Sequence, residues 1–188
     1  MPITVLDPKT ALIVIDLQKG ILALPTCHNT DPIVEKSCQL INAFREKQQP
    51  VVLVNVAGGA PGRNEQATSH GELPSDWADL DSRLNVQPSD HLVTKKTWGA
   101  FTNTDLNEYL KANVVTQVVI VGVATSIGVE STARQAWELG YNVILATDAM
   151  TDLNLDTHNN SVKLIFPRLA ETGSTQDVLD LLDAYTLL

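Results

Sequence analysis

Three polar elements of the sequence stand next to apolar runs typical of buried strands. Asp16 closes the run ALIVID, Lys95 follows the short segment HLVT, and the run QVVIVG leads into the turn Gly122–Gly128. A carboxylate at the end of so apolar a run is partly desolvated, which raises its pKa and suits it to proton transfer. A nearby lysine would keep that acid charged and could polarise a substrate oxygen. The alternatives are that Asp16 caps a turn, and that Lys95 and Lys96 are solvated surface.

The turn at residues 122–128 offers backbone N–H groups rather than a reactive side chain. N–H groups that open a helix are unpaired and favour anions or a developing oxyanion. The spacing of the glycines is not that of a GxGxxG dinucleotide fingerprint, and no Gly-Lys-Ser/Thr follows as in a Walker loop. A nucleotide site is therefore poorly supported. Gly128 lies in the first helical turn, where it brings no functional group.

Apolar patterns place these elements on an α/β fold. Four buried parallel strands are predicted at Ala11–Asp16, Pro50–Val56, Gln117–Gly122 and Asn142–Ala146. Helices are predicted at Asp31–Lys47, with Asp31 as N-cap, at Thr104–Lys111, at 129–137 with its apolar face on Val129, Ala133, Ala136 and Trp137, and at Thr175–Leu182. This alternation indicates a parallel sheet covered on both faces, with ligands at the carboxyl ends of the strands. The irregular insert Ala57–Asp90 is predicted to be a lid or a contact surface.

Composition limits the kinds of partner. A chain of 188 residues with 44% apolar content predicts one domain over residues 1–188. The net charge of −9 argues against a nucleic acid or an anionic membrane as partner. The sequence shows no signal-peptide pattern and no apolar run of membrane-span length, so a cytoplasmic protein is expected. Cys27 and Cys38 form no CxxC pair, which makes a disulfide framework unexpected.

Four segments together resemble the isochorismatase-like, or cysteine hydrolase, superfamily. They are IVIDLQKG, KKTWGAF with the following TDL, GVATSIGVESTARQAWELGY, and TDAM followed by His158. The resemblance implies a three-layer, Rossmann-like α/β/α fold with a six-stranded parallel sheet, assembled as a homodimer or homotetramer. It implies a catalytic triad of aspartate, lysine and cysteine, which here matches Asp16, Lys95 and Gly128. The nucleophilic cysteine is thus replaced by glycine, as in a small group of bacterial members.

The resemblance also implies a substrate site around the triad and a cis peptide between Val123 and Ala124. A small-molecule substrate is expected, with binding residues Gln18, Trp98, Phe101, Val123, Ala124, Thr125 and Ile127. The nicotinamidase metal motif, an acid and histidines after the second strand, is absent from VNVAGGAPGRN. We therefore expect no metal and no cofactor.

The glycine favours one reaction within this family. Isochorismatases proper also carry glycine at this position, and their aspartate protonates the methylene carbon of a vinyl ether; water then adds and pyruvate is released. Asp16, Lys95 and Gly128 fit that chemistry. Siderophore-type isochorismatases have a longer N-terminal segment and bring arginines to the substrate, whereas the insert here offers only Arg63 and Arg83.

Two other functions stay open. The chain could be a catalytically silent protein that binds a small molecule, or an amidohydrolase that uses another nucleophile. Cys27 stands beside His28, and a Cys–His pair can form an activated nucleophile. Adjacent side chains rarely point the same way, however, which argues against this pair. Cys38 and Trp137 are expected in the core, and Ser126 and Ser131 lack a GxSxG context.

Overall fold

The computed structural model of the chain describes residues 2–65 and 73–184. Six strands form one parallel sheet in the order β3-β2-β1-β4-β5-β6. They are β1 (Thr10–Ile15), β2 (Val51–Val56), β3 (His91–Lys95), β4 (Gln117–Val123), β5 (Asn142–Thr151) and β6 (Glu171–Gly173). The strand order reverses between the neighbours β1 and β4. The ligand site predicted at the carboxyl ends of the strands therefore coincides with the topological switch point of the sheet.

Helices cover both faces of this sheet. They are α1 (Lys19–Leu22), α2 (Thr30–Glu46), α3 (Leu106–Ala112), α4 (Glu130–Glu138), α5 (Leu155–Asn160) and α6 (Thr175–Ala184). π-Helical turns at Thr125–Val129 and Ser161–Ile165 precede α4 and follow α5, and short 3-10 turns occur at Ser82–Leu84 and Phe166–Arg168. The three-layer α/β/α fold with a six-stranded parallel sheet is confirmed.

Alternate residues of the central strands belong to two separate apolar clusters, one on each face of the sheet. Ala11, Ile13 and Ile15 of β1 belong to a cluster closed by α3 and α4, whereas Leu12 and Val14 belong to a cluster closed by α2 and α6. Because successive strand side chains point to opposite faces, a strand covered on both sides must be apolar throughout. This requirement explains why the first strand was readable from the sequence.

Several predicted boundaries and placements are corrected by the structure. Helix α2 begins earlier than expected: its N-cap is Asn29, whose side chain accepts the N–H of Asp31, so Asp31 lies inside the first turn. Trp137, predicted to be in the core, is 53% exposed. The core face of α4 is carried by Ala133 and Ala136, and one further residue rotates Trp137 about 100° away from that face.

The C-terminal part of the insert is fixed beside the end of β1. The N–H groups of Lys19 and Gly20 donate to the carbonyls of Asp79 and Trp77, and the N–H of Asp81 donates to the carbonyl of Leu17. The remaining part of the insert includes residues 66–72, which lie outside the described residues. The segment that follows them therefore packs against the same loop that carries Asp16.

Candidate active site

Asp16 follows β1 directly and is held in place by its own backbone. Its N–H donates to the carbonyl of Val54 at 2.9 Å, and its carbonyl accepts the N–H of Gln18 at 2.8 Å. Its φ of 53° lies in the left-handed region, so the chain turns sharply where the strand ends. The residue is 4% exposed, which places a carboxyl group in a largely apolar surrounding at the switch point of the sheet.

Lys95 ends β3, two strands away from β1, and reaches across the end of β2. Its Nζ atom donates to Oδ2 of Asp16 at 2.7 Å and to the carbonyl oxygen of Thr97 at 3.3 Å. The lysine is 2% exposed. Neighbouring strands lie about 4.8 Å apart, so only a long side chain can bridge this separation. The structure thus joins two residues that stand 79 positions apart in the chain.

The carboxyl group of Asp16 is asymmetric. Oδ2 is bound by the ammonium group of Lys95, whereas Oδ1 is buried without a hydrogen-bond partner among the described residues. Burial raises the pKa of Asp16 to about 6, and the nearby charge and hydrogen bond of Lys95 lower it by less than burial raises it. The acid therefore exists in both protonation states near neutral pH, with Oδ1 as the oxygen free to carry the proton.

Gly128 borders this pair, and a side chain at this position would contact its neighbours too closely unless one of them moved. A Cβ atom built on Gly128 would lie 2.9 Å from Cγ2 of Ile15, 3.1 Å from Oδ2 of Asp16 and 3.6 Å from Nζ of Lys95. The methyl group of Ile15 is a branch of a fully buried, β-branched side chain, so moving it aside is costly. Asp16, Lys95 and Gly128, which the sequence placed in a triad, are brought together around this point.

The turn that contains Gly128 contributes fewer backbone donors than expected. The predicted cis peptide between Val123 and Ala124 is present. The N–H of Ser126 donates to the carboxylate of Asp152 at 2.6 Å, and the N–H of Ile127 donates to the carbonyl of Ala124 at 3.1 Å. These two groups are used within the protein, so they are not available as the substrate donors predicted in this turn.

Gln18 has a different position from the one expected of a substrate ligand. It is 0% exposed, and its Nε2 donates to the carbonyls of Val56 and Trp77 at 3.0 and 3.1 Å. Its Oε1 accepts the N–H of Val56 at 2.7 Å. The side-chain amide of Gln18 hydrogen-bonds to the backbone of β2 and of the insert, and these bonds leave it no free group for a direct contact with substrate.

The other predicted substrate-binding residues differ in exposure. Trp98 is 63% exposed, and Phe101 is half-buried, with its ring 6.1 Å from that of Tyr141. Val123 and Thr125 are buried and Ile127 is half-buried. Val123 and Thr125 are thus shielded from solvent, whereas Trp98 is open to a ligand. The binding roles of these residues stay predictions.

Two further polar residues lie near the turn: Asp152, which the sequence analysis did not single out, and His158, which it named only within the family resemblance. Asp152 is 2% exposed and accepts the N–H groups of Ser126 and Leu153. His158 lies with its Nδ1 2.8 Å from Oγ1 of Thr125. Asp152 directly follows β5, so the rule that singled out Asp16 would have found it. The polar residues in TDAMT concealed where that strand ends.

Other kinds of site are not apparent in the part of the chain that the structure describes. Residues 2–65 and 73–184 contain no group of three or more His, Cys, Asp or Glu side chains arranged to hold a metal ion. No described helix is long and apolar enough to cross a membrane. Two surface grooves, of about 330 and 460 Å³, lie between α3 and α4 and at the opposite edge of the sheet. Neither groove is lined by Asp16, Lys95 or Gly128.

Comparison with known proteins decides the family. The isochorismatase domain model matches residues 10–177. The chain is 40% identical over 179 residues to the isochorismatase family protein YwoC of Bacillus subtilis, covering 92% of this chain and 93% of YwoC. The chain belongs to the isochorismatase family. Nicotinamidase 3 of Arabidopsis thaliana is a more distant member, 30% identical over 81% of this chain and 79% of its own length.

A solved isochorismatase-family structure from Burkholderia thailandensis has the same fold. It superposes with a TM-score of 0.90 at 38% sequence identity, covering 95% of this chain and 98% of that one. Relatives of this chain include a nicotinamidase and a ureidoacrylate amidohydrolase, which supports the assignment of this member to the hydrolases. This member combines a buried acid–lysine pair with a glycine at which a Cβ atom would require a neighbour to move.

Proposed function

We propose that the protein is a hydrolase that cleaves a vinyl ether in a small carboxylated substrate, with Asp16 as general acid and without a nucleophilic thiol. The observation that carries this proposal is the state of the Asp16 carboxyl group: Oδ2 is bound by Lys95, Oδ1 has no hydrogen-bond partner among residues 2–65 and 73–184, and the pKa of the group is raised to about 6. A buried acid with a free oxygen is suited to deliver a proton to substrate.

The proposed cleavage of the vinyl ether begins with a proton transfer from Asp16. Asp16 transfers the proton on Oδ1 to the terminal methylene carbon of the vinyl ether, which creates an oxocarbenium ion. Water adds to this ion and loses a proton to the Asp16 carboxylate, and the resulting hemiketal collapses to an alcohol and a keto acid. Lys95 stabilises the carboxylate left after the first step because its ammonium group is only 2.7 Å from Oδ2.

Gly128 supports this reaction over thiol chemistry. An amidase of this family would need a Cβ and a sulfur atom where Ile15 and Asp16 already leave less than van der Waals room. The acid packs closely against the position where an amidase would carry its thiol. This packing supports proton transfer to substrate rather than thiol chemistry.

A comparison of two substrate classes tests this proposal. The purified chain is given isochorismate, a vinyl ether, and in parallel nicotinamide, an amide, and release of pyruvate or ammonia is followed. Pyruvate release without ammonia release is expected. Ammonia release without pyruvate release would contradict the proposal. Release of neither, with thermal stabilisation by isochorismate, would indicate a binding protein instead.

A further inference from the structure

A second cluster of reactive side chains lies at the same edge of the sheet. The Sγ atom of Cys27 is 3.4 Å from Nδ1 of His28 and 3.6 Å from Oγ1 of Thr151. Nδ1 of His28 is in turn 3.0 Å from Oγ1 of Thr151. We call Cys27, His28 and Thr151 the thiol–imidazole cluster. The expectation that the adjacent side chains of Cys27 and His28 point apart is wrong for this pair.

The backbone holds the two side chains in this unusual arrangement. The N–H of Cys27 donates to the carbonyl of Asp152 at 2.7 Å, which fixes the loop to the end of β5. The hydroxyl of Thr26 donates to the carbonyl of His28 at 2.7 Å and closes a tight local turn. The ring of His158 packs edge-on against that of His28, with centroids 4.9 Å apart. The imidazole of His28 is therefore supported on two sides, by Thr151 and by His158.

The cluster is separate from the Asp16 site. Thr151 pairs with Val123 at the end of β4, and β4 lies between β5 and β1 in the sheet. At about 4.8 Å per strand, the strand that carries Thr151 is about 10 Å from the strand that leads to Asp16. Cys27 is therefore anchored at the end of β5, whereas Asp16 follows β1, two strands away in the sheet.

We propose that Cys27 and His28 form a nucleophilic site that accepts an acyl group from an activated ester or thioester. His28 Nδ1 takes the thiol proton, and the sulfur forms a bond to the acyl carbon. The bond from that carbon to the leaving oxygen or sulfur breaks, and the imidazolium of His28 returns the proton to the leaving group. The product is S-acylated Cys27 and a free alcohol or thiol, with no oxidant or reductant needed.

The second cysteine of the chain supplies a matched control. Cys38 is also a free, partly buried thiol, but its Sγ donates to the carbonyl of Arg83 at 3.3 Å. Burial raises the pKa of Cys38, so this thiol stays protonated. An imidazole lies beside the sulfur at Cys27, whereas the sulfur of Cys38 faces a backbone carbonyl. The two cysteines are therefore both partly buried but have different hydrogen-bond partners.

Acetylation by p-nitrophenyl acetate tests the site in the full chain. We expect rapid release of p-nitrophenolate, acetate on Cys27 rather than Cys38 by peptide mass spectrometry, loss of the rapid phase in C27A and its retention in C38A. H28N should slow acetylation of Cys27 by about tenfold or more, since it removes the base. Circular dichroism checks that H28N is folded, and H28Q replaces it if it is not.

Two results would overturn the inference. One is equal acetylation of Cys27 and Cys38 in the folded wild-type chain, which would make the imidazole irrelevant. The other is a folded His28 variant that is acetylated as fast as wild type. Neither result depends on turnover by the Asp16 site, so this test and that of the proposed function can fail separately.

Discussion

Gly128 and Asp16 are packed so closely that a Cβ atom on the glycine would lie 3.1 Å from Oδ2 of the aspartate. The same atom would lie 2.9 Å from Cγ2 of Ile15, which is 0% exposed. Real Cβ contacts at such distances require a neighbour to move. The carboxyl group and the glycine therefore form one packed unit, and a change at either should be felt at the other.

Introducing the smallest side chain at Gly128 should destabilise the protein. We expect G128A to lower the free energy of unfolding by about 1–3 kcal/mol because Ile15 or Asp16 must shift. Urea denaturation followed by circular dichroism measures the loss. G59A is the matched control, since a Cβ on Gly59 would meet nothing within 4 Å. Equal stability of the two variants would show that position 128 has room after all.

Restoring a thiol should not restore an amidase. G128C introduces the same Cβ and adds sulfur in the space next to Oδ2 of Asp16, so it should displace the acid rather than be activated by it. We expect no ammonia release from nicotinamide by G128C and a loss of any pyruvate release seen in wild type. Appearance of amidase activity in G128C would show that the site differs from an amidase only by its nucleophile.

The acid of the acid–lysine pair could be identified from the sequence because a polar residue is conspicuous at the end of a buried, apolar strand. A parallel strand covered on both faces must be apolar throughout, so Asp16 at the end of β1 stood out. Lys95 ends β3, an edge strand with exposed residues that was not among the predicted strands, and the lysine was selected through the family resemblance. The same reasoning missed β6, which has only three residues and no apolar run, and the end of β5, where polar residues interrupt the pattern. Short or polar strands are defined by their partners in the sheet, which one sequence does not show.

Side-chain directions in loops could not be predicted. Gln18 was expected to bind substrate, but it is fully buried and donates to the carbonyl of Trp77, a contact that depends on where the insert returns. The contact between Cys27 and His28 likewise depends on the backbone anchors of their loop. Long-range packing decides both, and local patterns carry no information on it.

The pH dependence of turnover should report the protonated form of Asp16. The pKa of this residue is raised from 3.8 to about 6, and a general acid must carry its proton. We expect kcat/KM to be level below pH of about 6 and to fall about tenfold per pH unit above it. A rate that rises with pH through this range would indicate that the carboxylate, not the acid, is the active form.

The same titration should affect stability. Because the pKa of Asp16 is higher in the folded protein than in the unfolded chain, the folded state holds the proton more tightly. The contribution of this group to stability is therefore present in full below its unfolded pKa of 3.8 and is lost as pH rises through about 6. D16N should flatten the pH dependence of the unfolding free energy in this interval.

Gln18 should contribute to stability through its three hydrogen bonds to backbone. Q18L leaves the N–H of Val56 and the carbonyls of Val56 and Trp77 without this partner, and we expect a loss of about 1–3 kcal/mol in urea denaturation. Q176L, at an exposed position of α6, is the control and should change stability by less than about 0.5 kcal/mol. A Q18L variant as stable as Q176L would show that the amide is dispensable.

The measurement that tests the account most directly is pyruvate release from isochorismate by wild type and by D16N. Asparagine keeps the size of the side chain but cannot donate the acid proton, so we expect release by wild type and a loss of about 10²-fold or more in D16N. Thermal shift with isochorismate checks that D16N is folded and still binds. Undiminished pyruvate release by folded D16N would contradict Asp16 as the general acid.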